Sequence, residues 1–166
     1  TSVSSSSNAN WKWMKFYELT VSQLYDVLML RAEVFVVEQN CVFNDLDNFD
    51  KDALHLLGYA SEEKLVAYCR CYSPNAAHVH VRESPESSIG RVVTNGSYRG
   101  CGLGKSLMNE AITKMISSYP DAPIRIGAQR YLSKFYTALG FINDGEPYDE
   151  DGIPHIDMIY NKHINN

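Results

Sequence analysis

The chain has 166 residues, 45% of them hydrophobic and 21% charged, with a formal net charge of −5 at neutral pH. That balance describes one globular domain with a true core. It excludes the basic face of a nucleic-acid binder, and no apolar run is long enough for a membrane span.

Thr1 to Asn10 is polar and rich in Ser and Asn, with no apolar stretch of the kind a secretory signal needs. It reads as a flexible tail, which leaves 11–166 as a single domain. Met14–Leu19 is a strand candidate. Thr20-Val21-Ser22-Gln23 then has the form of a capping box, with Leu19 and Leu24 at the staple positions. The helix it opens runs to about Glu38, with Leu24, Val27, Leu28, Val34 and Phe35 on the apolar stripe. Arg31 falls inside that stripe and needs an acidic partner. Glu38, two turns on along the same face, is one choice, and the loop carrying Asp45, Asp47, Asp50 and Asp52 is the other.

His55–Tyr59 and Leu65–Tyr72 read as a hairpin, and Ser88–Asn95 as the next strand. His78 and His80 alternate on one strand-like face but lack a third metal ligand. Cys41, Cys69, Cys71 and Cys101 show no metal spacing, so no metal is expected and the thiols read as reduced, in a cytoplasmic protein. A helix follows Gly104, with Leu107, Met108, Ala111, Ile112 and Met115 at helical spacing. Then come a strand over Ile124–Ala128, a helix over Tyr131–Leu139 stopped by Gly140, and closing strands at Phe141–Asn143 and His155–Tyr160. The sum is an α/β (α+β) fold with a mixed central sheet of about six or seven strands flanked by helices.

The most specific local feature is Arg99-Gly100-Cys101-Gly102-Leu103-Gly104-Lys105-Ser106, between a strand and a helix. Glycines remove side chains where the backbone must approach a ligand, and the helix start offers N–H groups and partial positive charge to an anion, most naturally phosphate. Arg91, Arg99 and Lys105 lie near enough in sequence to add charge. A P-loop, G-x-x-x-x-G-K-S/T, fails because its first glycine falls on Arg99. A dinucleotide fingerprint, G-x-G-x-x-G, fails on spacing.

The pattern that fits is R/Q-x-x-G-x-G/A. It resembles the pyrophosphate-binding turn of the GNAT superfamily of N-acetyltransferases, which use acetyl-CoA. Lys134-Phe135-Tyr136-Thr137-Ala138-Leu139-Gly140-Phe141 is similar to the F-Y-x-x-x-G-F element of the same superfamily. The segments Arg31-x-x-Val34-Phe35-Val36-Val37-Glu38-Gln39-Asn40-Cys41, Asp47-x-x-Asp50, Gly90-Arg91-Val92, Ala128-Gln129 and Glu150-Asp151-Gly152-Ile153-Pro154-His155 resemble its ElaA-type members.

The resemblance implies a GNAT fold from about Met14 to Lys162 and direct acyl transfer from acetyl-CoA to a primary amine in a ternary complex. It implies that the backbone of Val92, Val93 and Thr94 pairs with the pantetheine arm. The N–H groups of Arg99, Gly100, Cys101, Gly102, Leu103, Gly104 and Lys105 would hold the pyrophosphate, with Ser106 a further donor. Tyr136 corresponds to the general acid. For the base, Glu38 ranks narrowly ahead of Asp47, Asp50 and His155, and an ordered-water relay is an equal alternative. The superfamily often dimerises through its C-terminal strands.

Two other readings stay open. Acyl-homoserine lactone synthases share the architecture, and Arg31, Phe35, Asp47, Asp50 and Arg70 recur in their order; donor acyl groups from a carrier protein, against an intact acetyl-CoA turn here, separate them. A non-catalytic acetyl-CoA-binding module is the other.

Overall fold

The computed structural model describes residues 9–61, 64–74, 76 and 85–162. The readings above for residues 1–8 and for His78 and His80 lie outside that range. Four strands run antiparallel in chain order: β1 (Asn10–Lys15), β2 (Leu54–Ser61), β3 (Lys64–Tyr72) and β4 (Ser87–Thr94). β5 (Ile124–Gln129) joins β4 in parallel. β8 (Ile153–Tyr160) then pairs antiparallel with β5, with β6 (Ile142–Asn143) and with β7 (Tyr148–Glu150). Among the described residues the sheet has eight strands, against the six or seven expected. The extra one is β7, whose three residues are all exposed and so carry no inward-outward alternation to announce a strand.

The first strand also sits earlier than Met14–Leu19. Trp11 and Trp13 alternate against the core while Phe16–Glu18 turns in a 3-10 helix, so Asn10, assigned above to the tail, opens the sheet. Each face of the sheet is covered by helix. α1 (Val21–Arg31) lays Val27 and Leu30, with Val34 beyond its end, on Leu57, Tyr59, Leu65, Tyr68 and Val93. α2 (Leu103–Ser118) packs Leu107, Met108, Ala111 and Met115 on the other face, over Val66, Cys69, Ile89, Ile126 and Met158. α3 (Ser133–Ala138) adds Tyr136 to that second core. Among the described residues no helix is long and apolar enough to cross a membrane.

The helix boundaries follow local chemistry. The Thr20 hydroxyl accepts from the Gln23 N–H at 3.1 Å, and the Gln23 side chain accepts from the Thr20 N–H at 2.9 Å, the capping box expected at the start of α1. α3 begins at Ser133, two residues later than expected, after a 3-10 turn over Arg130–Leu132. It ends as foreseen at Gly140, whose φ of 107° lets Phe141 N–H reach the Tyr136 carbonyl at 3.1 Å and Gly140 N–H the Thr137 carbonyl at 3.0 Å.

After Arg31 the helix of α1 loosens into π turns over Ala32–Glu38. A π turn advances fewer degrees per residue, so by Glu38 the chain faces away from Arg31 rather than along the same side. Arg31 accordingly pairs with the acidic loop and not with Glu38. Its side chain is wholly out of water; Nε donates to Asp45 Oδ2 at 2.9 Å, Nη1 to Asp50 Oδ1 at 2.7 Å and Nη2 to the Asp45 carbonyl at 3.0 Å. Arg70 of β3 donates to Asp47 at 2.5 and 2.9 Å and to Asp50 at 3.0 Å. Arg91 of β4 donates to Asp45 Oδ1 at 2.8 Å. Beneath them His55 Nε2 faces the Asp50 carbonyl at 2.8 Å, so Nε2 carries the proton and Nδ1 accepts from the Tyr68 hydroxyl at 2.6 Å.

Removing one partner from such a network strands buried charge. Arg31→Met is expected to cost about 3–5 kcal/mol in equilibrium denaturant unfolding. A loss below about 1 kcal/mol would show that the loop simply relaxes into water.

Candidate active site

The sheet is split at its centre. The parallel ladder between β4 and β5 consists of Ser87↔Ile124 and Ser88↔Arg125, and among the described residues it goes no further. From there the two strands part, each still held on its outer side: β4 by β3 through Tyr68↔Val93 and Ala67↔Thr94, β5 by β8 through Gln129↔His155. Within β4, Arg91 and Val92 lie opposite Cys69 alone, a bulge at which Arg91 takes φ of 50°. The stretch Val92, Val93, Thr94 thus presents a backbone edge to a gap rather than to another strand. An extended ligand can add itself to such an edge as a further strand.

The glycine turn lies beyond the end of that edge. A 3-10 turn over Gly96–Tyr98 leads to Arg99, and Gly100 and Gly102 have φ of 83° and 82°. Gly102 caps α2 in this left-handed conformation, and a Cβ built at either glycine meets nothing within 4 Å, which leaves an open cradle. The first helical bond of α2 is Ser106 N–H to the Gly102 carbonyl at 3.1 Å. The N–H groups of Leu103, Gly104 and Lys105 precede it and have no partner within the helix. Gly104 has an ordinary backbone conformation, and its absent Cβ would touch Phe135 of α3 at 3.6 Å. Leu103 is buried and holds the turn to the core, while Lys105 is exposed. Cys101 donates its S–H to the Tyr98 carbonyl at 2.8 Å. The residues from Arg99 to Ser106 therefore share one turn at the start of α2, whereas Arg91 is committed to Asp45 and Asp47 and adds no free charge to it.

The end of the π turns spans the mouth of the gap. On the β4 side Glu38 receives both Nη1 and Nη2 of Arg99, the latter at 2.8 Å, and the same Nη2 donates to the Thr94 carbonyl at 3.3 Å. On the β5 side Gln39 and Gln129 exchange side-chain amide bonds at 3.1 and 3.3 Å. Cys41 Sγ donates to the Asp151 carbonyl at 3.3 Å and ties the following loop to the β7–β8 turn. Sequence reasoning did not find these cross-links, because each joins residues far apart in the chain whose side chains carry no shared pattern.

Tyr136 stands in α3 beside Phe135, which faces the glycine turn. Its ring meets those of Phe135 and Phe141 edge-on at 5.1 and 5.9 Å. Burial first, then the nearby Cys69 and Tyr131, push its hydroxyl above the usual tyrosine range, so it stays protonated at neutral pH. The Glu38 carboxyl is held below its ordinary value by the hydrogen bond and charge of Arg99. Asp47 and Asp50, the other acidic candidates for a base, sit in the arginine network. Burial would raise both, but the hydrogen bonds and charges of Arg70 on Asp47, and of Arg31 and Arg70 on Asp50, outweigh it and lower them. His155 pairs across the strand with Gln129; Nδ1 donates to the Ile153 carbonyl at 2.7 Å, and Nε2 lies 3.4 Å from Glu150. Among the described residues no group of three or more His, Cys, Asp or Glu side chains is placed to hold a metal ion.

A central sheet split beside a glycine turn at a helix start defines the class of GNAT-fold acyltransferases. The family model described as an acetyltransferase (GNAT) domain matches residues 32–162, and the chain belongs to this family, among its ElaA and UPF0039 members. The protein ElaA of Escherichia coli is 42% identical over 150 residues, covering 89% of this chain and 94% of ElaA. A UPF0039 protein of Synechocystis is 41% identical over 151 residues, covering 91% of this chain and 94% of its own. The crystal structure of ElaA superposes with a TM-score of 0.83 over 93% of this chain and all of that one. An acyl-CoA N-acyltransferase from Pseudomonas aeruginosa superposes with a TM-score of 0.81 at 37% identity, over 92% and 99%. A CoA-dependent acyl-homoserine lactone synthase, at 16% identity and a TM-score of 0.71, shares the fold alone. Its dependence on CoA corrects the contrast drawn above, since a CoA donor does not by itself exclude that class.

The acidic network sets a pH dependence. Asp47 and Asp50 hold protons less tightly folded than unfolded, so their stabilisation is complete above the ordinary carboxylate range, about pH 4, and is lost as pH falls towards their lowered folded values. Unfolding free energy measured by denaturant titration is expected to fall steadily below about pH 4. Asp47→Asn should lower it at neutral pH and flatten the acid limb.

Proposed function

We propose that this chain transfers an acetyl group from acetyl-CoA to a primary amine within a ternary complex. The observation that carries this reading is the gap between β4 and β5, with a strand edge that no other strand covers along one side and a glycine turn at its end. The edge Val92–Thr94 suits an extended pantetheine arm, and the open cradle over Gly100 and Gly102 suits a diphosphate. Acetyl-CoA supplies an activated thioester carbonyl. Four free thiols suit a reducing compartment, and we place the reaction in the cytoplasm.

Two proton movements accompany the transfer. The amine attacks as its neutral form, a carbon–nitrogen bond replaces the carbon–sulfur bond, and the amine sheds a proton while the leaving sulfur gains one. Tyr136 keeps its proton at neutral pH and gives it to that sulfur. Glu38, at the mouth of the gap, receives the amine, takes the proton it sheds and passes it to solvent. While Arg99 holds Glu38, its carboxylate is a poor base.

Calorimetric titration with acetyl-CoA, with ATP and NAD as controls, tests the donor: selective saturable binding is expected, and no binding would remove it. Tyr136→Phe tests the acid. Acetyl-CoA affinity should stay near normal while turnover, read as thiol release with an amine screen, falls about 100-fold or more. Unchanged turnover would exclude Tyr136 from the proton transfer.

A further inference from the structure

We propose that Arg99 is a positioning residue shared between two anions: in the free protein it occupies Glu38, and the diphosphate of the bound donor takes it away, so that Glu38 meets the cationic amine only once the donor is seated. This rests on the acetyl-CoA reading above. Arg99 is the first residue of the turn that would cradle the diphosphate, and its guanidinium is turned back across the end of β4 to Glu38 and the Thr94 carbonyl. Both contacts lie where a donor would run. Thr94 belongs to the strand edge proposed for the arm, and the turn itself belongs to the phosphates.

The exchange favours the donor. The side chains of Arg99 and Glu38 are 43% and 44% exposed, and an ion pair so wetted contributes little. A diphosphate offers the same guanidinium more charge and a matching bidentate geometry. Glu38 keeps its place when Arg99 departs, because the neighbouring Gln39 is fastened to Gln129 on β5 independently of the ion pair. What remains is an exposed carboxylate at the mouth of the gap, with the position of one cation open. An alkylammonium fits that position as the guanidinium did. The acceptor class that follows is an amine charged in solution, bound after the donor.

The test is a double-mutant cycle on donor affinity, by calorimetry with acetyl-CoA. Glu38→Gln removes the competitor for Arg99, so it should bind acetyl-CoA about two- to five-fold more tightly than the parent protein. Arg99→Gln should bind more weakly, and adding Glu38→Gln to it should bring no further change. Acetyl-pantetheine, which lacks the diphosphate, should bind the parent and Glu38→Gln alike. Glu38→Gln binding no more tightly than the parent, or a gain that persists without Arg99, would overturn the exchange and leave the donor assignment standing. Failure of every variant and the parent to bind acetyl-CoA would overturn both.

Discussion

A guanidinium wholly out of water must be answered on every side, and Arg31 is answered by the loop between the first helix and the second strand. That demand organises the first half of the molecule. Arg31 on α1, Arg70 on β3 and Arg91 at the β4 bulge converge on Asp45, Asp47 and Asp50, so one loop is fixed to one helix and two strands at once. Asp45, Asp47 and Asp50 are spent on these neighbours, and, against burial, the arginines hold Asp47 and Asp50 below the ordinary carboxylate range. An acidic stretch whose Asp47 and Asp50 stand in the sequence among the candidate bases is, in the fold, an anchor. The bulge that turns the β4 edge towards the gap carries one of the anchored arginines, so the shape of the edge and the charge of the loop are one construction.

The anchor also decides what lies over the gap. With Arg31 pinned, the π turns that follow swing Glu38 and Gln39 off the buried stripe and across the mouth between β4 and β5. A regular α-helix from the same start would have returned Glu38 to the side of Arg31. One loosened stretch of backbone thus separates a buried structural cation from an exposed anion at the mouth of the gap that sequence spacing places together.

What was legible in the sequence was local. The capping box at Thr20, the stop at Gly140 and the glycine turn before α2 each depend on residues within one or two turns of each other, and each stands where expected. The order of elements was legible too, because the apolar faces of α1 and α2 repeat at helical spacing. For Arg31 the sequence offered two partners and the fold uses the acidic loop, because the π turns break the periodicity that pointed to Glu38. The partners of Arg91 and Glu38 were not legible, since ion pairing across elements leaves no mark in spacing. β7 escaped because a wholly exposed strand has nothing to alternate. β1 was misplaced although Trp11 and Trp13 alternate in plain view, because the polar run up to Asn10 reads as tail and the strand pattern is sought further on.

The two-pair seam between β4 and β5 has a consequence for how the chain folds. To one side lie strands from Asn10 to Thr94, to the other those from Ile124 to Tyr160, each side contiguous in the chain and laddered within itself. Such blocks behave as separate cooperative units, formed early from nearer neighbours and joined late across a long crossover. The seam is then the last register to set and the first to part under stress, with α2 packed against it as a splint. A ligand bonded along the gap would stitch the two units together, and the protein would grow harder to unfold as that ligand's concentration rises.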